Sequence, residues 1–156
     1  MLADRLEISR EEAQEHMDAY FEQFPDVRDF MKSIVAAAKR DGYTTTLFGR
    51  RRYLAELSSD NFRIRQMGER MALNAPVQGS AADVIKLAMI ELDQRLKGIE
   101  ATMLLQIHDE LVLEASTDVL DEVTSTVVEV MEGVADFDVP LTVDVASGSD
   151  LAAVKG

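Results

Sequence analysis

The sequence predicts an α+β fold: an antiparallel sheet backed by long helices, together with a helical lobe that carries a small β-hairpin. Three observations support this prediction. Apolar residues recur at helical spacing over several long stretches. Residues 43–54 are rich in threonine and tyrosine around a glycine, as in a hairpin. Two short apolar runs also flank His108, Asp109 and Glu110, which predicts strands joined by a polar tip.

Size and composition indicate a folded protein with a sizeable core. The chain has 156 residues, of which 47% are hydrophobic. It has no cysteine, which excludes disulfides, thiolate metal sites and cysteine nucleophiles. The N-terminal residues lack the apolar core of a signal peptide, and no apolar run approaches membrane-spanning length. We therefore expect a soluble, cytoplasmic protein with no membrane partner.

Charge is distributed unevenly along the chain. The formal net charge of −13 argues against a general nucleic-acid binder, because such proteins are usually basic. Between residues 50 and 70, however, six arginines stand against three acidic residues. A local basic patch on an acidic body can still steer a polyanion.

The first forty residues predict two helices. Ser9 and Glu12 form a capping box, so a helix begins near Arg10. Pro25 breaks this helix. A second helix follows, and Gly42 is a natural stop for it.

A short hairpin and a loop come next. The β-rich segments 43–47 and 51–54 predict its strands, with Gly49 in the turn. Residues 56–61 predict a loop that supplies the cap of the following helix. Three residues are candidates for that cap: Ser59, Asp60 and Asn61.

A long helical pattern runs from about Phe62 to Leu96. Pro76 and Gly79 lie inside it, and we expect them to kink or divide the helix. Its second half is apolar around much of its circumference, which is typical of a helix buried between layers.

The C-terminal part predicts a sheet and one further helix. Ser116 or Thr117 caps this helix, which extends to about Met131 with a valine-rich inward face. The predicted strands pair in one antiparallel sheet: 103–107, 111–114 and 141–145.

The tip of the central hairpin is the first candidate site. Two adjacent carboxylates, Asp109 and Glu110, are unfavourable together without a counter-charge. Magnesium is the obvious counter-charge, because hard cations prefer carboxylate oxygens. The alternative is that acidic residues simply favour turns.

A second candidate site lies on the long helix. Arg70, Asn74 and Gln78 are spaced at i, i+4 and i+8, so they share a face if the helix runs through. Arginine pairs with phosphate, and the two amides can contact sugars or base edges. The alternative is a solvated stripe without a ligand.

Three segments together resemble family A DNA polymerases, the DNA polymerase I type. They are the blocks Thr46–Leu54, Glu69–Asp83 and Gln106–Leu111. The third block is similar to the motif C of that family, and it follows the second at the expected spacing. The resemblance covers essentially the whole chain.

The resemblance implies roles for individual residues. Asp109 matches the carboxylate that binds the two catalytic magnesium ions, and Glu110 matches the acidic residue beside it. Both are therefore expected to be catalytic, with Asp109 as the metal ligand. Contacts to primer and template are implied for five residues: Arg70, Asn74, Gln78, Gln106 and His108.

The resemblance also implies an organisation. Residues 1–61 match part of the fingers subdomain, and residues 62–156 match the C-terminal palm subdomain. The family's motif A aspartate and its nucleotide-binding fingers helix have no counterpart in the chain. We expect the C-terminal part of a DNA-directed DNA polymerase of replication and repair, inactive alone. Its expected partners are primer–template DNA, deoxynucleoside triphosphates and the missing N-terminal portion.

Three other hypotheses remain open at this point. A non-catalytic DNA-binding module would keep the Arg70–Gln78 face, and its DNA binding would weaken with salt. A decayed fragment would have no activity and would expose apolar surface. A magnesium phosphohydrolase is less favoured, because no second acidic cluster with a histidine is visible.

Overall fold

The computed structural model describes residues 2–154, and it confirms the α+β prediction. Six α-helices, two short 3-10 helices and two separate two-stranded antiparallel sheets make up the regular structure of these residues. The chain forms two compact units, the first ending at Ser80 and the second beginning at Ala81. No helix within residues 2–154 is long and apolar enough to span a membrane.

The N-terminal unit begins with three helices, α1 (Leu2–Leu6), α2 (Arg10–Gln23) and α3 (Pro25–Asp41). The predicted capping box is present: the Glu12 N–H donates to Ser9 Oγ at 3.1 Å, and the Ser9 N–H donates to Glu12 Oε2 at 2.9 Å. The hydrogen bond from the Ser9 backbone is the main reason that the pKa of Glu12 is lowered. Helix α1 was not predicted, because five residues are too few for a periodic pattern.

A glycine turn joins helix α3 to the first sheet. Gly42 adopts a left-handed conformation (φ 76°), and its N–H donates to the Ala38 carbonyl at 2.9 Å. Strands β1 (Tyr43–Thr45) and β2 (Arg51–Tyr53) then pair as predicted, although each is shorter than expected. Gly49 lies in the turn with φ 80°.

The sequence predicted that Pro76 and Gly79 kink or divide helix α4 (Phe62–Arg95). The helix is continuous, so the prediction that they divide it is wrong, and the kink stays a prediction. Its cap is Asn61, whose Oδ1 accepts the Arg63 N–H at 2.9 Å. Packing offsets the helix-breaking effect of Pro76. Ala72 lies one helical turn before Pro76 and Ala75 lies next to it, and both alanines are buried.

The C-terminal unit contains strands β3 (Ala101–Ile107) and β4 (Glu110–Ala115), followed by helices α5 (Leu120–Gly133) and α6 (Leu151–Val154). The strands form an antiparallel pair with one irregularity in register, between Met103 and Leu105. The α5 valines face inward as predicted. One buried hydrophobic cluster of the unit consists of Leu92, Leu96, Val123, Val127 and Val130.

The predicted third strand is wrong for the residues that the structure describes. Residues 141–145 pair with neither β3 nor β4, so that sheet has two strands rather than three. The Val143 N–H donates to Glu132 Oε1 at 3.0 Å instead of to a strand carbonyl. Pro140, at the start of the segment, has no N–H to add to a ladder.

The predicted cap of helix α5 is also wrong. A 3-10 turn over Thr117–Val119 precedes the helix, and Ser116 flanks that turn without a side-chain capping bond. Helix α5 itself follows Val119, which has no side-chain oxygen to serve as a cap. The sequence misplaced the start because serine and threonine favour such turns as well as caps.

Candidate functional site

The tip of the β3–β4 hairpin is a turn of two residues, His108 and Asp109. Ile107 pairs with Glu110 across its base. The sequence predicted all three ionisable residues at the tip. The structure places Glu110 one step lower, as the first residue of β4. All three side chains are exposed to solvent.

The backbone at the tip is strained. His108 has φ 58°, in the left-handed region that non-glycine residues rarely adopt. A residue held there costs on the order of 1–3 kcal/mol and persists only where its surroundings enforce it. Such strain tends to occur at functional sites, which is consistent with a role for this turn.

Gln106 contributes to holding the tip in this conformation. Its Nε2 donates to the His108 carbonyl at 2.9 Å. The DNA contact that the resemblance implied for Gln106 stays a prediction, and the hydrogen bond that the structure gives its amide lies at the tip. Its exposed side chain therefore braces the turn that carries Asp109.

We expect Gln106→Met to loosen the tip, because methionine has similar length but no donor for the His108 carbonyl. An exposed hydrogen bond contributes about 0.5–1.5 kcal/mol, so amides of residues 107–110 should exchange about two- to tenfold faster. Native-state hydrogen exchange measures this change. Gln94→Met, on an exposed position of α4, is the matched control. Equal exchange rates in the two variants would contradict the bracing role.

The donor chemistry of the tip suits a hard cation. The Asp109 and Glu110 carboxylates offer oxygen ligands of the kind that magnesium prefers. Within residues 2–154, no group of three histidine, aspartate or glutamate side chains is placed to hold a metal ion. The tip therefore fits magnesium as part of a ligand set, with Asp109 and Glu110 as the residues that would hold it.

The second group of predicted residues lies on helix α4. Because the helix runs through Pro76 without a break, Arg70, Asn74 and Gln78 share one face, as the spacing required. All three are exposed. At a rise of about 1.5 Å per residue, the stripe is about 12 Å long. Its dimensions and donors suit a nucleic-acid strand.

The β1–β2 hairpin is fastened to helix α4 beside this stripe, which the sequence did not predict. The buried Ser80 hydroxyl accepts the Leu47 N–H at 2.9 Å and donates to the Pro76 carbonyl at 2.5 Å. Arg50 Nη2 donates to the Gly79 carbonyl at 3.1 Å. The sequence signal for this contact was the glycine and serine after Gln78, which permit the hairpin to approach helix α4 closely.

The predicted site residues thus form two groups, one in each unit. The N-terminal unit carries the helical stripe, and the C-terminal unit carries the hairpin tip with Gln106, His108, Asp109 and Glu110.

Comparison with known proteins gives consistent matches. The sequence profile of DNA polymerase family A matches residues 1–153. DNA polymerase I of Bacillus caldotenax is 52% identical over 150 residues, which are 95% of this chain and 17% of that protein. The thermostable DNA polymerase I of Thermus aquaticus is 47% identical over 154 residues, which are 99% of this chain and 18% of that protein.

A solved structure agrees with the sequence matches. The POL domain of Pol1 from M. smegmatis, in complex with DNA primer-template and dNTP, superposes with a TM-score of 0.95 at 48% identity. The match covers 99% of this chain and 28% of that one. The chain spans 17% of the length of the Bacillus caldotenax relative. Since the family profile covers nearly all of it, the chain belongs to DNA polymerase family A.

Proposed function

We propose that the chain is the C-terminal part of a DNA-directed DNA polymerase, which adds deoxynucleotides to a primer under the direction of a template. The observation that carries the proposal is the strained two-residue turn that holds Asp109 at the end of the β3–β4 hairpin, in a member of DNA polymerase family A. In a cell, the enzyme would act on DNA in the cytoplasm, in association with the nucleoid, during replication and repair.

The two groups of residues have different tasks in this proposal. Arg70, Asn74 and Gln78 bind the primer–template from their common face of α4. Arginine and glutamine suit the minor groove, where the acceptors are nearly the same for every base pair. A polymerase must accept all sequences, so contacts of this kind give affinity without selecting bases.

The hairpin tip carries the reacting end. Asp109 and Glu110 would hold magnesium, and His108 would lie near the primer terminus. When bound, two magnesium ions lower the pKa of the primer 3′-hydroxyl and stabilise the leaving pyrophosphate. Phosphoryl transfer depends mainly on positioning, so a rigid turn is a suitable mount for a metal-binding carboxylate.

The partners follow from the same proposal. Deoxynucleoside triphosphates and the remaining ligands for two magnesium ions require an N-terminal portion with a second metal-binding aspartate and a nucleotide-binding helix. The curated relatives are several times longer than this chain, which supports the existence of such a portion. The fingers and palm assignments, residues 1–61 and 62–156, belong to this proposal as well.

Primer extension tests the proposal with two proteins. The first is the 156-residue chain alone, which we expect to extend no primer with magnesium and all four nucleotides. The second is a chimera in which residues 1–153 replace the matched segment of the Bacillus caldotenax enzyme, which we expect to extend it. An inactive but folded chimera would contradict the polymerase proposal. Extension by the chain alone would contradict the need for an N-terminal portion.

A further inference from the structure

A cavity lies between the β1–β2 hairpin and helix α4, within the N-terminal unit. Its volume is about 210 Å³. The hairpin contributes threonines and arginines, and the helix contributes a glutamine and small residues. The lining includes Thr44, Thr46, Arg50, Arg52, Gln78 and Gly79.

The lining of this cavity is rich in donors and contains no carboxylate. Arg50 and Arg52 are the charged residues among those that line it. This composition stands out in a chain with a formal net charge of −13. Guanidinium groups and threonine hydroxyls together favour an oxyanion, and arginine can contact a phosphate through two parallel hydrogen bonds.

Contacts on both sides hold the backbone that walls the cavity. Arg52 lies directly opposite the buried Thr44 in the β1–β2 register. The Leu47 N–H is fixed to Ser80 at 2.9 Å, and Arg50 is fixed to the Gly79 carbonyl at 3.1 Å. A site whose walls are already in place loses little conformational entropy on binding.

The position of the cavity indicates which anion it takes. Gln78 belongs both to the cavity lining and to the DNA-facing stripe of α4. We propose that the cavity is a phosphate subsite for a polynucleotide strand, in which Arg52 contacts a phosphodiester of the strand that passes over Arg70 and Gln78. The inference rests on the proposed function and adds a DNA contact by a residue to which the resemblance assigned no role.

The neighbouring arginine provides a matched control. Arg51 lies next in the same strand but on the opposite face of the hairpin, with its guanidinium carbon 4.6 Å from the Tyr43 ring centroid. The pKa of Arg51 is raised, first by a hydrogen bond to the Tyr53 side chain. Arg51→Gln and Arg52→Gln therefore remove the same charge from the same strand, but only one of them removes it from the cavity.

The experiment measures binding of primer–template DNA to the 156-residue chain by fluorescence anisotropy, between about 50 and 200 mM salt. Loss of one phosphate contact lowers the slope of log affinity against log salt by about 0.7–0.9. We expect that change for Arg52→Gln, with affinity at the low-salt end about three- to tenfold weaker. For Arg51→Gln we expect less than half of this change in the slope and in the affinity. Circular dichroism checks that both variants are folded.

The other outcomes are distinguishable: three overturn the inference, and one leaves it standing and overturns the proposed function instead. Equal slopes for the two variants would overturn the subsite alone. Absence of salt-dependent DNA binding by the wild-type chain would overturn the subsite and the DNA-binding role of the stripe. A titration with dATP separates two sources of phosphate: if Arg52→Gln weakens only dATP binding, the subsite takes a nucleotide and not a strand. If the chimera fails to extend primers while Arg52 still affects DNA binding, the subsite stands and the polymerase proposal fails.

Discussion

In the chimeric polymerase, Asp109→Asn is expected to lower kcat by about 10³-fold, which corresponds to about 4 kcal/mol of lost transition-state stabilisation. Asparagine keeps the shape of the side chain but removes the negative charge that a magnesium ion requires. The turn itself is held by the backbone of His108 and by Gln106, so the hairpin should remain intact. Steady-state primer extension with a magnesium titration measures the effect.

The control for this variant is Asp93→Asn, which removes an exposed carboxylate from α4 and should leave kcat within about twofold, as surface substitutions usually do. Glu110→Gln should have a smaller effect than Asp109→Asn, because Glu110 begins strand β4 and does not lie in the turn. If Asp109→Asn kept more than a tenth of the wild-type kcat, the metal-binding role of Asp109 would have to be abandoned.

Local chemistry made much of the fold predictable. The capping box at Ser9, the glycine stop at Gly42 and the hairpin turn at Gly49 each depend on one or two neighbouring residues. The β3–β4 hairpin was predictable because its apolar runs are short and its tip is polar. These features need no knowledge of distant contacts, which is why sequence patterns are sufficient for them.

The features that the sequence did not predict depend on tertiary contacts. Pro76 has a strong local tendency to end a helix, yet helix α4 continues, and Ala72 and Ala75 beside Pro76 are buried within the N-terminal unit. Residues 141–145 have the composition of a strand, but the Val143 N–H is bonded to Glu132. Propensity is a weak prior wherever packing or a side-chain acceptor offers an alternative.

The candidate site also has features that local sequence predicts and features that depend on tertiary contacts. The spacing of Arg70, Asn74 and Gln78 was sufficient to predict their common face once the helix was known to be continuous. The contact from Gln106 to His108 and the cavity beside Gln78 were not predictable. Each joins a side chain to groups whose position depends on the folded turn or on the docking of the hairpin.

The packing of the β1–β2 hairpin on helix α4 leads to the second prediction of a large effect, a loss of stability on substitution of Gly79. A Cβ atom at this position would lie 2.6 Å from Thr46 Cγ2 and 3.4 Å from Arg50 Nη2. Threonine is β-branched and cannot easily rotate away. We therefore expect Gly79→Ala to destabilise the N-terminal unit by a net amount of up to about 2 kcal/mol. Overpacking costs about 1–3 kcal/mol, and the better helix propensity of alanine offsets about 1 kcal/mol of it.

A second substitution tests whether the loss of stability comes from the steric conflict between the alanine Cβ and Thr46 or from another cause. Thr46→Ser removes the conflicting Cγ2 but keeps the hydroxyl that accepts the Arg50 N–H at 3.1 Å. Alone, it should cost up to about 0.8 kcal/mol for the lost methyl group. In the double variant the alanine methyl occupies that space, so stability should return to the wild-type value or exceed it.

Urea unfolding, followed by tyrosine fluorescence, measures the stability of the wild-type chain, the two single variants and the double variant. Together these four stabilities give the coupling between the two substitutions. The chain has three tyrosines and no tryptophan, and Tyr20, Tyr43 and Tyr53 all precede Ser80, so the signal reports on the N-terminal unit. A favourable coupling of about 1–3 kcal/mol is expected, as for residues in direct contact. If the two substitutions were additive within about 0.5 kcal/mol, Thr46 would not pack against Gly79 in solution. The wall of the cavity beside Gln78 would then lack one of its packing contacts, and the hydrogen bonds to Ser80 and Gly79 would remain to fix the hairpin to α4.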